Sequence, residues 1–298
     1  MLEIVTTADR SFRLPLAVMF ASLTRTMRAD SLRVTVLTDS LEASDVVAIA
    51  GDLETQCVHV PPNLVAGAHL PGYLKAPTLY RLLLGDLMPG NVDRVIYVDA
   101  DTIIRRDITD LWEENLAGHS TAAVMDPVIP WAACPDGLPW QELSLPPDAA
   151  YFNAGMMVID LGRWRRERIG QKALAFLRTH RLPHADQGGL NAALSGQWKR
   201  LEPSWNLQAG HLLTARSLTH VVETPEALDE ARRTPAIVHF NNSPFGRPWE
   251  GGCVHPFKDE WLSRVDETPL CGWRPPAHAP RVPFLVRLRR AAALVIKG

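Results

Sequence analysis

Three things are scarce or missing in this 298-residue chain: an excess of charge of one sign, closely spaced cysteines, and long apolar runs. Lys plus Arg number 31 against 33 Asp plus Glu, a formal charge of -2, so no broad polyanion-binding surface is built in and nucleic acid is not an expected partner. The four cysteines, Cys57, Cys134, Cys253 and Cys271, stand far apart. Without paired spacing they suggest neither a zinc site nor a redox dithiol, and a reducing cytoplasm is the expected location. No run of about 18 uninterrupted apolar residues occurs, and no basic segment followed by an apolar one opens the chain, so neither a membrane span nor a signal peptide is expected. Internal repeats are missing too, and the 24 prolines mark turns rather than a low-complexity linker. What is present is 46% hydrophobic content, enough for a substantial core in one large α/β domain or two small ones.

Short β-rich runs alternate with helical patterns through the first third, as in a parallel sheet flanked by helices. Residues 2–7 read as a buried strand, and Pro15 suits an early position in an apolar helix reaching residue 27. Residues 32–37 are the next strand, Ser40 is placed to cap a helix over 41–50, and residues 56–60 form a third strand closed by Pro61-Pro62. A helix over 78–87 leads into residues 94–98, an apolar run that stops at acidic residues. Charge at the carboxyl end of a buried strand marks the edge where open α/β sheets bind ligands, because the loops leaving the strands converge there. The second half is less regular. It shows a strand at 121–125, a proline-rich loop to Asp148, an apolar run at 154–160, and helices from Leu161, over 171–181 and from Asp186. Thr224-Pro225-Glu226 starts another helix, and residues 236–240 are a final strand.

The acidic residues are Asp99-Ala100-Asp101. Two carboxylates one residue apart at a strand end can both turn toward a divalent cation, as hard oxygen ligands suited to Mg²⁺ or Mn²⁺ with diphosphate oxygens completing the shell. Unpaired acids directly after a buried strand are costly unless something cationic sits there. A second chemistry fits the same residues. Strand followed by Asp-x-Asp-Thr resembles the motif of haloacid dehalogenase-type phosphatases, with Asp99 as nucleophile and Asp101 handling protons. That family carries its motif near the amino terminus with a further acidic motif downstream, whereas here Gly51-Asp52 lies upstream and no Gly-Asp-x-x-x-Asp follows Asp101.

Six segments in order settle the choice: Ile4-Val5-Thr6-Thr7-Ala8-Asp9, Thr78-Leu79-Tyr80-Arg81-Leu82, residues 94–107, Tyr151-Phe152-Asn153-Ala154-Gly155, His184-Ala185-Asp186-Gln187, and Val238-His239-Phe240 with Arg247-Pro248-Trp249. Together they resemble glycosyltransferase family 8, the family of bacterial lipopolysaccharide galactosyl- and glucosyltransferases and of glycogenin, over residues 2–265. The resemblance implies a GT-A fold, an α/β architecture with a Rossmann-like, mostly parallel central sheet flanked by helices. It also implies Mn²⁺ (or Mg²⁺), a UDP-sugar donor and retention of anomeric configuration.

Matching positions inherit roles from the family. Asp9 would hydrogen-bond the uracil with Thr7 and Ser11 beside it; the plainer reading of Asp9 is a helix-start cap. Arg81 would reach the donor sugar or diphosphate. Asp99 and Asp101, with Ala100 in the same donor-contacting segment, would bind the metal, and His239 would be its third protein ligand. Asn153 would bond sugar hydroxyls while Ala154 and Gly155 let the pyranose approach the backbone. Asp186 would bind donor hydroxyls and Gln187 would lie nearest the reacting face. Neither is a strong independent base, which favours a front-face transfer in which the departing diphosphate accepts the acceptor's proton. A covalent route needs a carboxylate nucleophile, for which Asp126 and Asp186 are the candidates. Arg247 stands where the family often has lysine and can still clamp a diphosphate. Thr6-Thr7-Ala8-Asp9-Arg10 lacks one acid usual at that point.

The expected organisation is one GT-A domain over 1–265, with a nucleotide-sugar half (1–105) and an acceptor half (106–265), then an extension, 266–298. The loop from Asp126 to Asp148, with Trp131, Pro135 and Trp140, is expected to border the acceptor cleft. Residues 281–298 carry five cations and no acid among apolar side chains, a basic amphipathic tail suited to an anionic inner-membrane surface. The expected partners are thus a UDP-hexose, a glycan acceptor such as a lipopolysaccharide core, and that membrane surface. A non-enzymatic sugar-nucleotide sensor is the remaining alternative.

Overall fold

Leu-Glu-Ile-Val-Thr-Thr buries all six side chains and forms β1 (Leu2–Thr7) near the middle of the sheet. The computed structural model describes residues 1–27, 31–213, 222–241 and 244–277. After β1, Asp9 accepts the amides of Ser11 and Phe12 and starts a 3₁₀ turn that runs into α1 (Arg13–Thr26), with Pro15 buried in its first turn. β2 (Leu32–Thr38), α2 (Ala43–Ala50) and β3 (Glu54–His59) follow. The cap of α2 is Glu42, in a reciprocal box with Asp45, rather than Ser40, whose Oγ instead accepts the Arg10 amide. Gly51 closes the helix at φ 62°, where a side chain would be strained.

The helix expected over 78–87 is a 3₁₀ segment, Ala76–Leu83, continued by the single turn α3 (Leu84–Leu87). All side chains from Leu79 to Leu84 are buried, so tertiary packing rather than helix propensity sets its winding. β4 (Arg94–Val98), β5 (Thr102–Ile104), α4 (Thr109–Trp112), β6 (Thr121–Met125), β7 (Phe152–Asp160), α5 (Leu161–Glu167), α6 (Ile169–Thr179), α7 (Ala185–Leu194) and β8 (Lys199–Arg200) come next. α8 (Pro225–Arg233) begins at its Thr224 cap, and β9 (Ile237–His239) and α9 (Lys258–Val265) end the described elements.

Among the described residues one sheet has the order β3-β2-β1-β4-β7-β6-β8, parallel from β3 to β4, with β7 antiparallel to both neighbours. Ile4 pairs with Ile96 and Val5 with Tyr97, and successive side chains point to opposite faces. One face packs Ile4 and Ile96 on Leu16 and Phe20 of α1; the other packs Val5 and Tyr97 with Tyr80, Trp164 and Leu177. Covered on both sides, β1 is buried along its whole length and β4 from Val95 onward, whereas the edge strand β3 is part-exposed. The chain goes left of β1 to β2 and right of it to β4, so the carboxyl ends of β1 and β4 part at a topological switch point. Asp9 and Asp99 leave the sheet there. A separate antiparallel ribbon pairs β5 with β9, Thr102 opposite His239 and Ile104 opposite Ile237.

The basic tail, residues 281–298, lies outside the described residues, as do Asn242 and Ser243. Among the described residues no helix is long and apolar enough to cross a membrane.

Candidate active site

Two backbone hydrogen bonds and one strand pairing assemble the acidic cluster. The Asp99 amide donates to Gly155 O of β7 (2.8 Å), the Phe240 amide donates to Asp101 O (2.8 Å), and the β5–β9 ladder sets His239 opposite Thr102. His239 Nε2 then lies 3.2 Å from Asp101 Oδ1 and 3.6 Å from Asp99 Oδ2. One ligand atom from each of the three residues falls within 4.8 Å of the others, a spacing that one hard divalent cation can span. Burial and the neighbouring Asp101 charge push the Asp99 carboxyl up, against Arg81 and His239. Burial opposes ionisation of Asp101 as well, but His239 and then Arg247 outweigh it and hold that carboxyl below its usual range. A half-buried and a buried acid that disfavour each other, with an imidazole beside both, fit a cation.

Arg81 is spent within the protein. Its Nη2 is 2.7 Å from Asp99 Oδ1, its Nη1 donates to Ala154 O (2.8 Å), and its Nε lies 3.0 Å from Asp186 Oδ2, an ion-pair contact with the N–H off line. The guanidinium carbon also sits 4.6 Å over the Tyr97 ring. Tyr97 OH donates to Asp99 Oδ1 (2.7 Å), and the Thr7 hydroxyl, 3.0 Å from that phenol, supports it from behind. Arg81 thus aims Asp99 and pins Asp186, whose carboxyl is raised by burial despite Arg81.

Asn153, Gln187 and Asp126, separate in the sequence, form one buried patch. Asn153 Nδ2 donates to Gln187 Oε1 (2.9 Å), which also accepts the Ala154 amide (3.2 Å), and Gln187 Nε2 donates to Asp126 Oδ2 (3.1 Å). Asp126 Oδ1 accepts the amides of Val128 and Ile129, both at 2.9 Å. A residue that no sequence motif singled out joins this patch to the metal cluster: Asn206 donates to Asn153 Oδ1 (3.0 Å) and lies 3.0 Å from His239 Nδ1. Only a buried Asn after Trp205 signalled it, and its partners are distant in sequence. Gly155 also has a specific role. A Cβ there would meet His239 Nδ1 at 2.7 Å and Asp99 Oδ2 at 2.8 Å, so the cluster itself requires glycine.

Asp9 lies apart from the metal cluster, at the end of β1. One oxygen caps the 3₁₀ turn while the other meets Lys75 Nζ at 2.6 Å, a partner the sequence did not suggest; Ser11 Oγ accepts from the same Lys75. Arg247 stands over Trp249 (5.7 Å), and its buried Nε has no hydrogen-bond partner among the described residues. Trp249 packs between Phe12 and Trp261, which anchors the Arg247-Pro248-Trp249 segment. In the proline-rich loop, half-buried Trp140 packs on Ile129, Ala132, Leu138 and Tyr151, and half-buried Trp131 bridges to Ala150.

A mostly parallel sheet with a DxD–His cluster at its switch point is the architecture of a GT-A glycosyltransferase. The sequence profile of Glycosyl transferase family 8 matches residues 3–252, and the chain belongs to that family. Among curated relatives, General stress protein A of Bacillus subtilis (strain 168) is 28% identical over 278 residues, covering 90% of this chain and 94% of that protein. The lipopolysaccharide 1,3-galactosyltransferase of Salmonella typhimurium is 25% identical over 276 residues, covering 88% and 77%. Among solved structures, galactosyltransferase LgtC in complex with donor and acceptor sugar analogs shares the fold with a TM-score of 0.76 at 21% identity, covering 97% of this chain and 100% of that one. The phosphatase reading gives way to glycosyl transfer on the family match over residues 3–252.

Proposed function

We propose that the protein is a retaining, Mn²⁺-dependent hexosyltransferase that moves galactose or glucose from a UDP-sugar to a hydroxyl of a cell-surface glycan. The observation that carries this reading is the convergence of Asp99, Asp101 and His239 on one cation-sized position where β1 and β4 part. The naming of one relative as a lipopolysaccharide galactosyltransferase points to the same sugar and acceptor class. Residues 1–105 would hold the nucleotide sugar and residues 106–265 the acceptor.

Asp9 at the end of β1 is the group for the base, and Arg247, with its unpartnered Nε, the group for the diphosphate. A bound cation neutralises the charge that builds on the departing diphosphate. Asp126 and Asp186 bear on the route. Asp126 accepts four hydrogen bonds and Asp186 is held by Arg81, so neither offers an unengaged carboxylate for a covalent intermediate. This supports front-face transfer. Asn153 accepts from Gly155 N and Asn206 and donates to Gln187 and Asp126, which uses its hydrogen-bonding capacity; its part is to hold the patch rather than to grip a hydroxyl.

The test is UDP release across a panel of UDP-sugars with and without Mn²⁺. Sugar-dependent, metal-dependent release that is lost in Asp101→Asn is expected. Binding of UDP-sugar with no release from any donor would instead leave a sugar-nucleotide sensor.

A further inference from the structure

At the other end of the β5–β9 ribbon from the acidic cluster lies a cavity of about 380 Å³. Its wall carries Arg25 from the last turn of α1, Arg105 and Arg106 following β5, Arg233 from the last turn of α8, Arg264 from the last turn of α9, and Glu260. Arginine at a helix carboxyl end has an ordinary explanation in the helix dipole, and that covers Arg25, Arg233 and Arg264 one at a time. It does not explain why three such ends and the Arg105-Arg106 pair open on one concavity.

The charges there do not cancel. Glu267 Oε1 is shared by Arg25 (3.5 Å) and Arg264 (2.5 Å), Glu260 Oε1 by Arg105 (3.0 Å) and Arg264 (4.0 Å), and Glu230 pairs with Arg233 (2.8 Å). Arg106 has no carboxylate in ion-pair reach among the described residues; its guanidinium lies 4.0 Å from the centre of the Trp205 ring. Five guanidiniums face three carboxylates, so two positive charges are in excess. A phosphate monoester carries about that charge with opposite sign, roughly −1.5 to −2 at neutral pH. Several of the cations are also held in place. Arg105 is fixed by Glu260, by the Pro235 carbonyl (3.1 Å) and by the Phe257 ring (5.3 Å), so little side-chain entropy is lost when an anion docks.

We propose that this cavity binds a phosphate ester, through the planar N–H forks that suit arginine to phosphate oxygens. The ester is not the donor diphosphate. Arg105 lies four residues beyond Asp101 along extended chain, about 13 Å at roughly 3.3 Å per residue, and α1 carries Arg25 away from Asp9 by about 18 Å at 1.5 Å per residue.

The test compares the full chain with an Arg106→Gln/Arg233→Gln variant. Both side chains are exposed, so circular dichroism and sugar-nucleotide turnover are expected to match the unaltered protein. If the ligand is a soluble phosphate, sodium phosphate raises the melting temperature over sodium chloride of equal ionic strength, and the variant loses most of that increment. If it is a lipid headgroup, sedimentation with phosphatidic acid vesicles rather than phosphatidylcholine vesicles falls in the variant. Either loss should correspond to binding on the order of tenfold weaker, the worth of about one charge-assisted hydrogen bond. Identical behaviour of the two proteins in both assays overturns the proposal.

Discussion

His239 Nδ1 faces Asn206 Oδ1 at 3.0 Å, and a backbone amide sets the polarity of that contact. The Gly155 N–H donates to Asn153 Oδ1 (3.0 Å), which makes that atom an acceptor; Asn206 must then turn its amino group to it and its oxygen to the imidazole. Nδ1 therefore carries a proton, which leaves Nε2, the nitrogen that faces the two aspartates, as the one available to ligate a metal.

Asn206→Leu is accordingly expected to weaken Mn²⁺ binding about 10- to 100-fold, the usual effect of losing a partner behind a metal-bound histidine. Asn206→Asp keeps an acceptor for Nδ1–H but turns its second oxygen on the acceptor Asn153 Oδ1, so it should restore Mn²⁺ binding only in part. Calorimetric titration with Mn²⁺ in the presence of UDP measures both. A leucine variant that binds Mn²⁺ normally shows that the contact is only packing.

Gly155→Ala puts a methyl group onto His239 and Asp99 together. Relief requires moving a buried imidazole or its aspartate, at a cost of about 1–3 kcal/mol. The variant should stay folded while UDP affinity in Mn²⁺ drops at least about tenfold. Normal Mn²⁺-dependent UDP binding would falsify the assignment of this glycine to the cluster.

Asp9 can be separated into its two readings. Asp9→Ser keeps a side-chain oxygen for the Ser11 and Phe12 amides, whereas Asp9→Ala forfeits the cap and about 1 kcal/mol of stability. If Asp9 also binds the base, both variants lose UDP affinity and only the alanine variant loses melting temperature. A serine variant that binds UDP as tightly as the parent reduces Asp9 to a cap.

His255 gives a pH prediction. Burial among Phe240, Phe245 and Phe257 lowers its pKa from the usual 6.5 to about 3. Between those values the unfolded chain takes up a proton that the folded protein excludes. The stability from neutral His255 is therefore complete above pH 6.5 and falls with decreasing pH, by roughly 1.4 kcal/mol per pH unit. Denaturant unfolding of the parent and of His255→Leu should show the parent losing stability relative to the variant from pH 6.5 toward pH 4. A constant difference contradicts the assignment.

Much of this was legible in the chain itself because it rests on local rules. An apolar run ending in Asp99-Ala100-Asp101 is a buried strand with charge at its carboxyl edge whatever surrounds it, and Thr224 before Pro225 and Glu226 caps a helix from its own residues. Ser40 misled because a capping serine competes with its neighbours. Glu42 and Asp45 satisfy each other's backbone amides, and Ser40 serves the Arg10 amide instead. The winding of residues 76–83 was not legible either, since packing on both sides decides it.

Which elements form, and which end of the fourth strand bears charge, follows from hydrophobic period, capping and turn chemistry, all of which act within a few residues. Whether His239 points at Asp99, whether Asn206 stands behind it, and whether five arginines share one cavity are questions about segments brought together by strand pairing. Hydrogen-bond polarity and Coulomb interaction act through space over a few ångströms, so only the folded chain could answer them.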